Sequence, residues 1–419
     1  MRRFFFMLGL IFAGEAIFAL PFHVTRFFRG TFLEVFSLTD TQLGTAQGLY
    51  GIAAMVAYFP GGPIADRFSA RKLLALSLVA TAVGGLYMAT IPGYWGVCAL
   101  WGFFGFSTIF LFWAPLLRAT RYWGSSDTQG RAYGILEGGR GAIAAGAAAI
   151  ATFGLIPEGA ANASVGEKAQ TLQLIIFGYC ALTLVTAALV FFVVPGGGTD
   201  AADQQKTKGE SVFHHVARAV SIPAVWMQAL IIICAYVSYK GFDNYGLFAE
   251  QAYGLDRSSA TWVVIAASLM RPAAAVAAGL VGDRMKSSRV VLMAFLIMLT
   301  SHSYFAFVDP NPGAAWILVI NALFGATAIF GVRGVYFALF GEAKVPTEVT
   351  GTAVGFVSII GYTPDVFVGY VQGKLLDASP GVSGHQHFFL FLAAFALTGV
   401  LATLAFGALC RTTSAVRAS

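Results

Sequence analysis

Charge is scarce in this chain. Asp, Glu, Lys and Arg make up 11% of its 419 residues, against about 25% in ordinary soluble domains. So few charges cannot solvate the surface of a soluble protein of this length, and that class is excluded. Cysteine is scarce too: Cys98, Cys180, Cys234 and Cys410 lie in or at the end of apolar runs with no CxxC spacing. They read as packing or lipid-facing residues, not as a zinc or redox centre. No GxSxG, HExxH or P-loop pattern is present, and the loops are too short for an added signalling or catalytic domain. An enzyme is therefore not expected, no cofactor or metal is expected, and ATP-driven pumping by this chain alone is excluded. The net charge is +6, yet the basic residues form short clusters between apolar runs and no single stripe, which argues against a nucleic-acid partner.

What the chain has in abundance is apolar sequence, with 58% of residues hydrophobic. A spanning helix needs about 20 mostly apolar residues, and such runs recur near 4–24, 42–63, 73–91, 95–120, 131–155, 171–194, 223–244, 259–281, 289–308, 314–340, 350–373 and 386–410. The first begins Met1-Arg2-Arg3 like a signal peptide. It lacks a small-residue cleavage pattern and is followed by further spans, so it is kept as a helix. Residues 196–221 form the longest polar stretch and read as a linker between an N-terminal unit, 1–195, and a C-terminal unit, 222–419. His214-His215 begin an amphipathic stretch there that reads as an interfacial helix. With both termini cytoplasmic, about 16 basic residues fall in cytoplasmic segments and about 5 outside. The bilayer is the solvent, and a monomer is expected.

The two units repeat. Asp66-Arg67 recurs as Asp283-Arg284, 217 positions later. Gly130-x-Ala132-x-Gly134 recurs as Gly351-x-Ala353-x-Gly355 and Trp95 as Trp316, both 221 later. Duplicated halves related by an axis along the membrane normal are one of the recognised transporter architectures. The expected fold class is an all-α integral membrane protein with 12 transmembrane helices in two pseudo-symmetric six-helix bundles.

Gly62-Pro-Ile-Ala-Asp66-Arg67-Phe-Ser-Ala-Arg71-Lys72 joins the second and third spans, and it resembles the signature loop of the major facilitator superfamily. Ser69 and Ala70 depart from the usual Gly and Arg. A degenerate copy, Gly279-x-x-Gly282-Asp283-Arg284, follows the eighth span. The resemblance implies that Gly62, Asp66, Arg67, Arg71, Lys72, Asp283 and Arg284 form the cytoplasmic gate. The same residues also satisfy the simpler role of a positive-inside anchor. Pro92-Gly-Tyr-Trp-Gly96, Gln129-Gly-Arg131-Ala-Tyr-Gly134-Ile-Leu-Glu137-Gly-Gly-Arg140-Gly141, Gly341-Glu342-Ala-Lys344, Thr350-Gly351 and Gly361-Tyr-x-Pro364 resemble the YihN-like branch of bacterial facilitators over nearly the whole chain. That implies a multi-pass protein of the bacterial inner membrane, and it implies no particular cargo.

Ionisable residues deep in a span cost at least about 2.5–3.5 kcal/mol each on insertion scales, which makes each a functional candidate. Arg271 lies about 18 Å from the cytoplasmic end of the eighth span, near the midplane, beside Pro272. In carboxylate carriers of the resembled superfamily an Arg in that place binds the substrate carboxylate; the alternative is a structural ion pair. Arg333 lies about 13 Å in and has no acidic neighbour on its own helix. Arg140 has Glu137 three residues earlier on one face, where an ion pair would neutralise it. Glu15 and Asp365, about 18 and 22 Å along their spans, read either as proton carriers or as permanent partners of Arg271 and Arg333. Lys240 and Arg118 are expected to snorkel to the interfaces, and His302 to make a structural hydrogen bond. Tyr50, Tyr236 and Tyr239 offer hydroxyls to a substrate.

With four Arg against the three carboxylates Glu15, Asp365 and Glu137 in these spans, the expected cargo is a small organic anion: a carboxylate, sugar acid, sulfonate or phosphate ester. It is carried by alternating access with a proton or a counter-anion as the coupled species. Two alternatives are a proton-coupled exporter of apolar or cationic compounds and a non-transporting, transporter-like receptor.

Overall fold

The computed structural model describes residues 2–123, 129–155, 164–195, 217–218, 220–345 and 347–416. The environment of Gly62 and the side chains of Asp66, Arg67 and Asp283 lie outside what is described. So do most of the expected linker and the interfacial helix from His214-His215. In chain order the rods are α1 (Arg3–Phe27), α2 (Asp40–Arg67), α3 (Ala70–Met88), α4 (Tyr94–Thr120), α5 (Gln129–Leu155), α6 (Val165–Val193), α7 (Pro223–Tyr253), α8 (Arg257–Gly282), α9 (Ser287–Phe307), α10 (Pro312–Glu342), α11 (Ala353–Ala378) and α12 (Val382–Arg411). Ten are long and apolar enough to cross a membrane. The other two, α2 and α5, are glycine-rich helices of 28 and 27 residues.

The helix starts are written locally. Thr39 and Gln42 form a capping box at the head of α2, and Ser164 and Glu167 form another at the head of α6. Asp256 accepts from the N–H groups of Ser258 and Ser259 at the head of α8. Each cap satisfies backbone donors that hydrocarbon would leave unpaired. These three starts lie at one end of the bundle, joined by the Lys168–Glu34 and Arg257–Glu34 ion pairs. Arg3, hydrogen-bonded to the carbonyl of Trp123, places the N-terminus at the other end.

Among the described residues six rods are interrupted along their length. Pro21 lies in a π turn, Ala19–His23, within α1. Pro115 follows a turn at Leu111 and Phe112 in α4, Pro272 follows a break at Leu269 in α8, and Pro364 follows the turn Tyr362–Thr363 before Pro364–Ala378 in α11. A proline at position i has no N–H for the carbonyl at i−4, and each break falls in that unpaired turn. In α11 the freed carbonyl of Ile360 is taken by the Thr363 N–H at 3.1 Å. The other two interruptions, 3₁₀ turns at Phe242–Asn244 in α7 and Tyr336–Ala338 in α10, contain no proline.

The tightest packing between the N- and C-terminal rods is a glycine seam from α2 to α11. A Cβ on Gly44 would stand 2.0 Å from the Gly369 carbonyl oxygen, one on Gly48 2.6 Å from that of Val366, and one on Gly373 2.3 Å from that of Asp40. Small residues at membrane helix contacts let backbones approach and gain dispersion that bulkier side chains forfeit. On its other flank α2 meets α4, where a Cβ on Gly105 would stand 2.3 Å from the Tyr50 carbonyl oxygen.

Candidate substrate-binding site at the mid-membrane breaks

The buried charges gather around the interrupted rods. On α1, Glu15 accepts from Arg140 Nε at 3.0 Å and lies 3.1 Å from His23 Nε2. Arg140 also pairs with Glu137 through Nη1, as the i,i+3 spacing predicts. Arg271, next to the α8 break, donates through Nη2 to Glu137 at 2.5 Å and lies 3.7 Å from Glu15. Two carboxylates and two guanidiniums thus form a closed group across α1, α5 and α8. Its least covered member is Glu137, whose side chain is 41% exposed. In this conformation Arg271 sits in the ion pair that was the alternative to substrate binding.

A second group surrounds the α7 turn. Arg26 Nε donates to Asp243 at 2.5 Å, and its Nη2 lies 3.4 Å from the Tyr239 hydroxyl. Lys240 Nζ stands 3.6 Å from Asp243 and 3.4 Å from Asp365, and the Tyr236 hydroxyl donates to Asp365 at 2.9 Å. Lys240 therefore does not snorkel: its side chain is 5% exposed. The 3₁₀ turn and the further helix Tyr245–Tyr253 extend α7 beyond it, so it lies too deep to reach the interface. The partner of Asp365 is this lysine, not Arg271 or Arg333.

Arg333 on α10 is different. Among the described residues it makes no ion pair and no hydrogen bond, and its Nη1 is buried without a partner. Its guanidinium lies 4.0 Å from the ring centroid of Tyr239 and 5.4 Å from that of Tyr236. Aromatic faces attract a cation without neutralising it.

The remaining candidates separate. The Tyr50 hydroxyl is 2.8 Å from Thr108 Oγ1 in a buried contact between α2 and α4, with its ring edge-on to Phe22, so it packs and does not face an opening. His302 is fully buried and its ring stacks at 6.3 Å on Phe389; among the described residues neither ring nitrogen has a hydrogen-bond partner, so the expected hydrogen bond is not found there. Arg118 donates to the Phe68 carbonyl at 2.7 Å, closing the C-terminus of α2. Arg71 covers the Phe191 ring at 5.1 Å, while Lys72 and Arg284 are exposed. Cys98, Cys180 and Cys234 are buried free thiols. Among the described residues no group of His, Cys, Asp and Glu could hold a metal ion.

Sequence reasoning missed His23, Arg26 and Asp243. Arg26 falls just past the apolar run that marks α1, and its partner is 217 positions away. The i,i+3 spacing of Lys240 and Asp243 was the available signal.

Membrane-length rods, broken around paired charges and around Arg333, which has no carboxylate partner among the described residues, define a polytopic carrier with a central site. The chain belongs to the Major Facilitator Superfamily, which it matches over residues 4–369; it is a transporter working by alternating access. It is 28% identical over 401 residues to "Inner membrane protein YihN" of Escherichia coli strain K12, covering 94% of this chain and 93% of that protein. It is 25% identical to "Inner membrane protein YqcE" of the same organism, covering 97% and 95%. The fold is shared with the nucleoside transporter NupG, at TM-score 0.71 and 15% identity over 96% of this chain and 98% of that one. A D-xylose–proton symporter shares it too, at TM-score 0.72 and 14% identity over 96% of each.

Proposed function

We propose that this transporter carries a small organic anion and that Arg333 is the group that holds it. The observation that supports this is the contrast at mid-membrane: Arg26, Arg140, Lys240 and Arg271 all touch carboxylates, while Arg333 touches aromatic faces and keeps a bare Nη1. A desolvated cation without a counter-charge is costly, and an oxyanion accepting from Nη1 would offset that cost. Tyr236 and Tyr239 present hydroxyls and ring faces beside it, and Tyr236 links the site to Asp365.

Coupling belongs to the carboxylates. Protonation of Asp365 would release Lys240, and protonation of Glu15 or Glu137 would release Arg140 and Arg271; a counter-anion held by the freed cations would act in the same sense. With the termini cytoplasmic in a bacterial inner membrane, residues 1–195 and 222–419 form the two rocking units. The seam from Gly44 to Gly369 then closes the outer end, and the gate residues Gly62, Asp66, Arg67, Arg71, Lys72, Asp283 and Arg284 lie at the cytoplasmic end. The outer closure extends through the Asp377 carboxylate, which accepts from the backbone N–H groups of Asp40 at 3.3 Å and Thr41 at 2.8 Å. It continues through Arg257–Glu34 at 2.7 Å.

A thermal-shift screen of the purified protein against carboxylates, sugar acids, sulfonates and phosphate esters tests the reading. Stabilisation by one of these classes that Arg333→Gln abolishes is expected. Stabilisation by cationic amphiphiles alone, or anion stabilisation indifferent to Arg333→Gln, would reject it.

A further inference from the structure

The charge count at mid-membrane restricts the cargo further. Glu15 and Glu137 balance Arg140 and Arg271; Asp243 and Asp365 balance Arg26 and Lys240. Among the described residues Arg333 is left over. The count is made with His23, 3.1 Å from Glu15, taken as uncharged. We infer that the transported substrate carries one negative charge, a monoanionic carboxylate or sulfonate, and that dianions are rejected. The inference rests on the anion reading above and narrows it.

The physical reason is the low dielectric of the site. One anionic group against Arg333 closes the count at zero. A second would sit uncompensated unless it pulled Arg271 from Glu137 or Lys240 from Asp365, leaving Arg140 alone to balance Glu15 and Glu137, or Asp365 without its cation. Asp365 also leans on the site through Tyr236, so a second negative charge near that tyrosine meets like-charge repulsion. Discrimination by charge number therefore comes from the paired groups, and Glu137 is the member whose neutralisation should alter it most directly, because it is hydrogen-bonded to both Arg140 and Arg271 and is the least covered carboxylate of the group.

The test uses ligand pairs that differ by one carboxylate on the same skeleton, D-gluconate against D-glucarate and benzoate against isophthalate. Binding is measured by calorimetry on the full-length protein at pH 8. Wild type should bind the monoanion of a recognised pair at least tenfold more tightly than the dianion, and Arg333→Gln should lose both. Glu137→Gln removes one negative charge and should shift the ratio at least tenfold toward the dianion, a readout that simple loss of folding would not produce. Equal or tighter dianion binding by wild type, or an unmoved ratio in Glu137→Gln, overturns the inference while leaving the anion reading standing. If no anion of any class binds, both fall.

Discussion

Replacing Gly44 with alanine should drive the protein out of the conformation described here. The added Cβ would stand 2.0 Å from the Gly369 carbonyl oxygen and 2.4 Å from its carbon, whereas close carbon-to-oxygen contacts between packed helices lie at about 3.3–3.6 Å. The helices must part by roughly 1.3 Å to reach that distance. No side-chain rotation relieves the clash, because both partners are backbone. Overpacking of this kind costs about 1–3 kcal/mol in a core that can shift, and the upper end of that range changes a two-state ratio by about 150-fold. The parting also weakens the neighbouring contacts of Gly48 and Gly373. The assay is the distance between spin labels at Ser37→Cys and Ala378→Cys, two exposed positions at the closed end. Cys410→Ser leaves only the buried thiols of Cys98, Cys180 and Cys234. In Gly44→Ala the longer distance should become the main population. Gly102→Ala, whose Cβ meets nothing within 4 Å, should match the parent. Identical distributions in Gly44→Ala and the parent would refute the claim that the seam holds this end shut.

Three further outcomes follow from the same geometry. Asp377→Asn should open the labelled end less than Gly44→Ala does, because it replaces one charged acceptor at a helix start, a change of about 1 kcal/mol; the same label pair reads it. Arg26→Gln leaves Asp243 only the Lys240 that it shares with Asp365 and should lower the thermal midpoint in detergent sharply, breaking a buried pair being worth about 3–5 kcal/mol. Arg26→Gln with Asp243→Asn should recover most of that loss, and no recovery would show the pair to be incidental. Glu34, outside the spans, is held below the usual carboxylate range by its hydrogen bond from Lys168 and by Arg257. A depressed carboxylate stabilises fully above its ordinary titration range and loses that contribution as pH falls through the lowered value. The closed end should thus persist at pH 5 and loosen only in stronger acid, whereas loosening between pH 7 and pH 5 would assign the closure to other groups.

The rods were legible because spanning a bilayer imposes a length and a hydropathy that no tertiary contact can override. The break beside Arg271 was legible from Pro272, since a missing N–H acts within one turn. Pairings across the bundle were not. Arg26 meets Asp243 through packing of α1 on α7, and nothing in either local sequence records that meeting. Lys240 was misplaced for a related reason: its depth was counted from the end of the apolar run, while the helix continues through a polar turn to Tyr253. Arg333 had a sequence signature, the lack of any acidic residue within two turns of it on its own helix. Only the arrangement of α7 against α10 gives it tyrosine faces in place of a carboxylate. Arg271 looked equally promising by depth, and it is the long-range contact with Glu137 that sets the two arginines apart.

Transport itself tests the central claim most directly. Counterflow of a radiolabelled monoanion identified by the binding screen should be measured in proteoliposomes holding wild type, Arg333→Gln or Arg271→Gln. If Arg333 carries the cargo, Arg333→Gln should abolish counterflow while purified protein keeps its thermal midpoint within a few degrees. Arg271→Gln should slow exchange but leave the substrate's half-saturation concentration within about threefold, less than half the 1.4 kcal/mol that a tenfold change represents. Counterflow that survives Arg333→Gln with unchanged half-saturation, or that Arg271→Gln alone abolishes through loss of binding, would contradict the account.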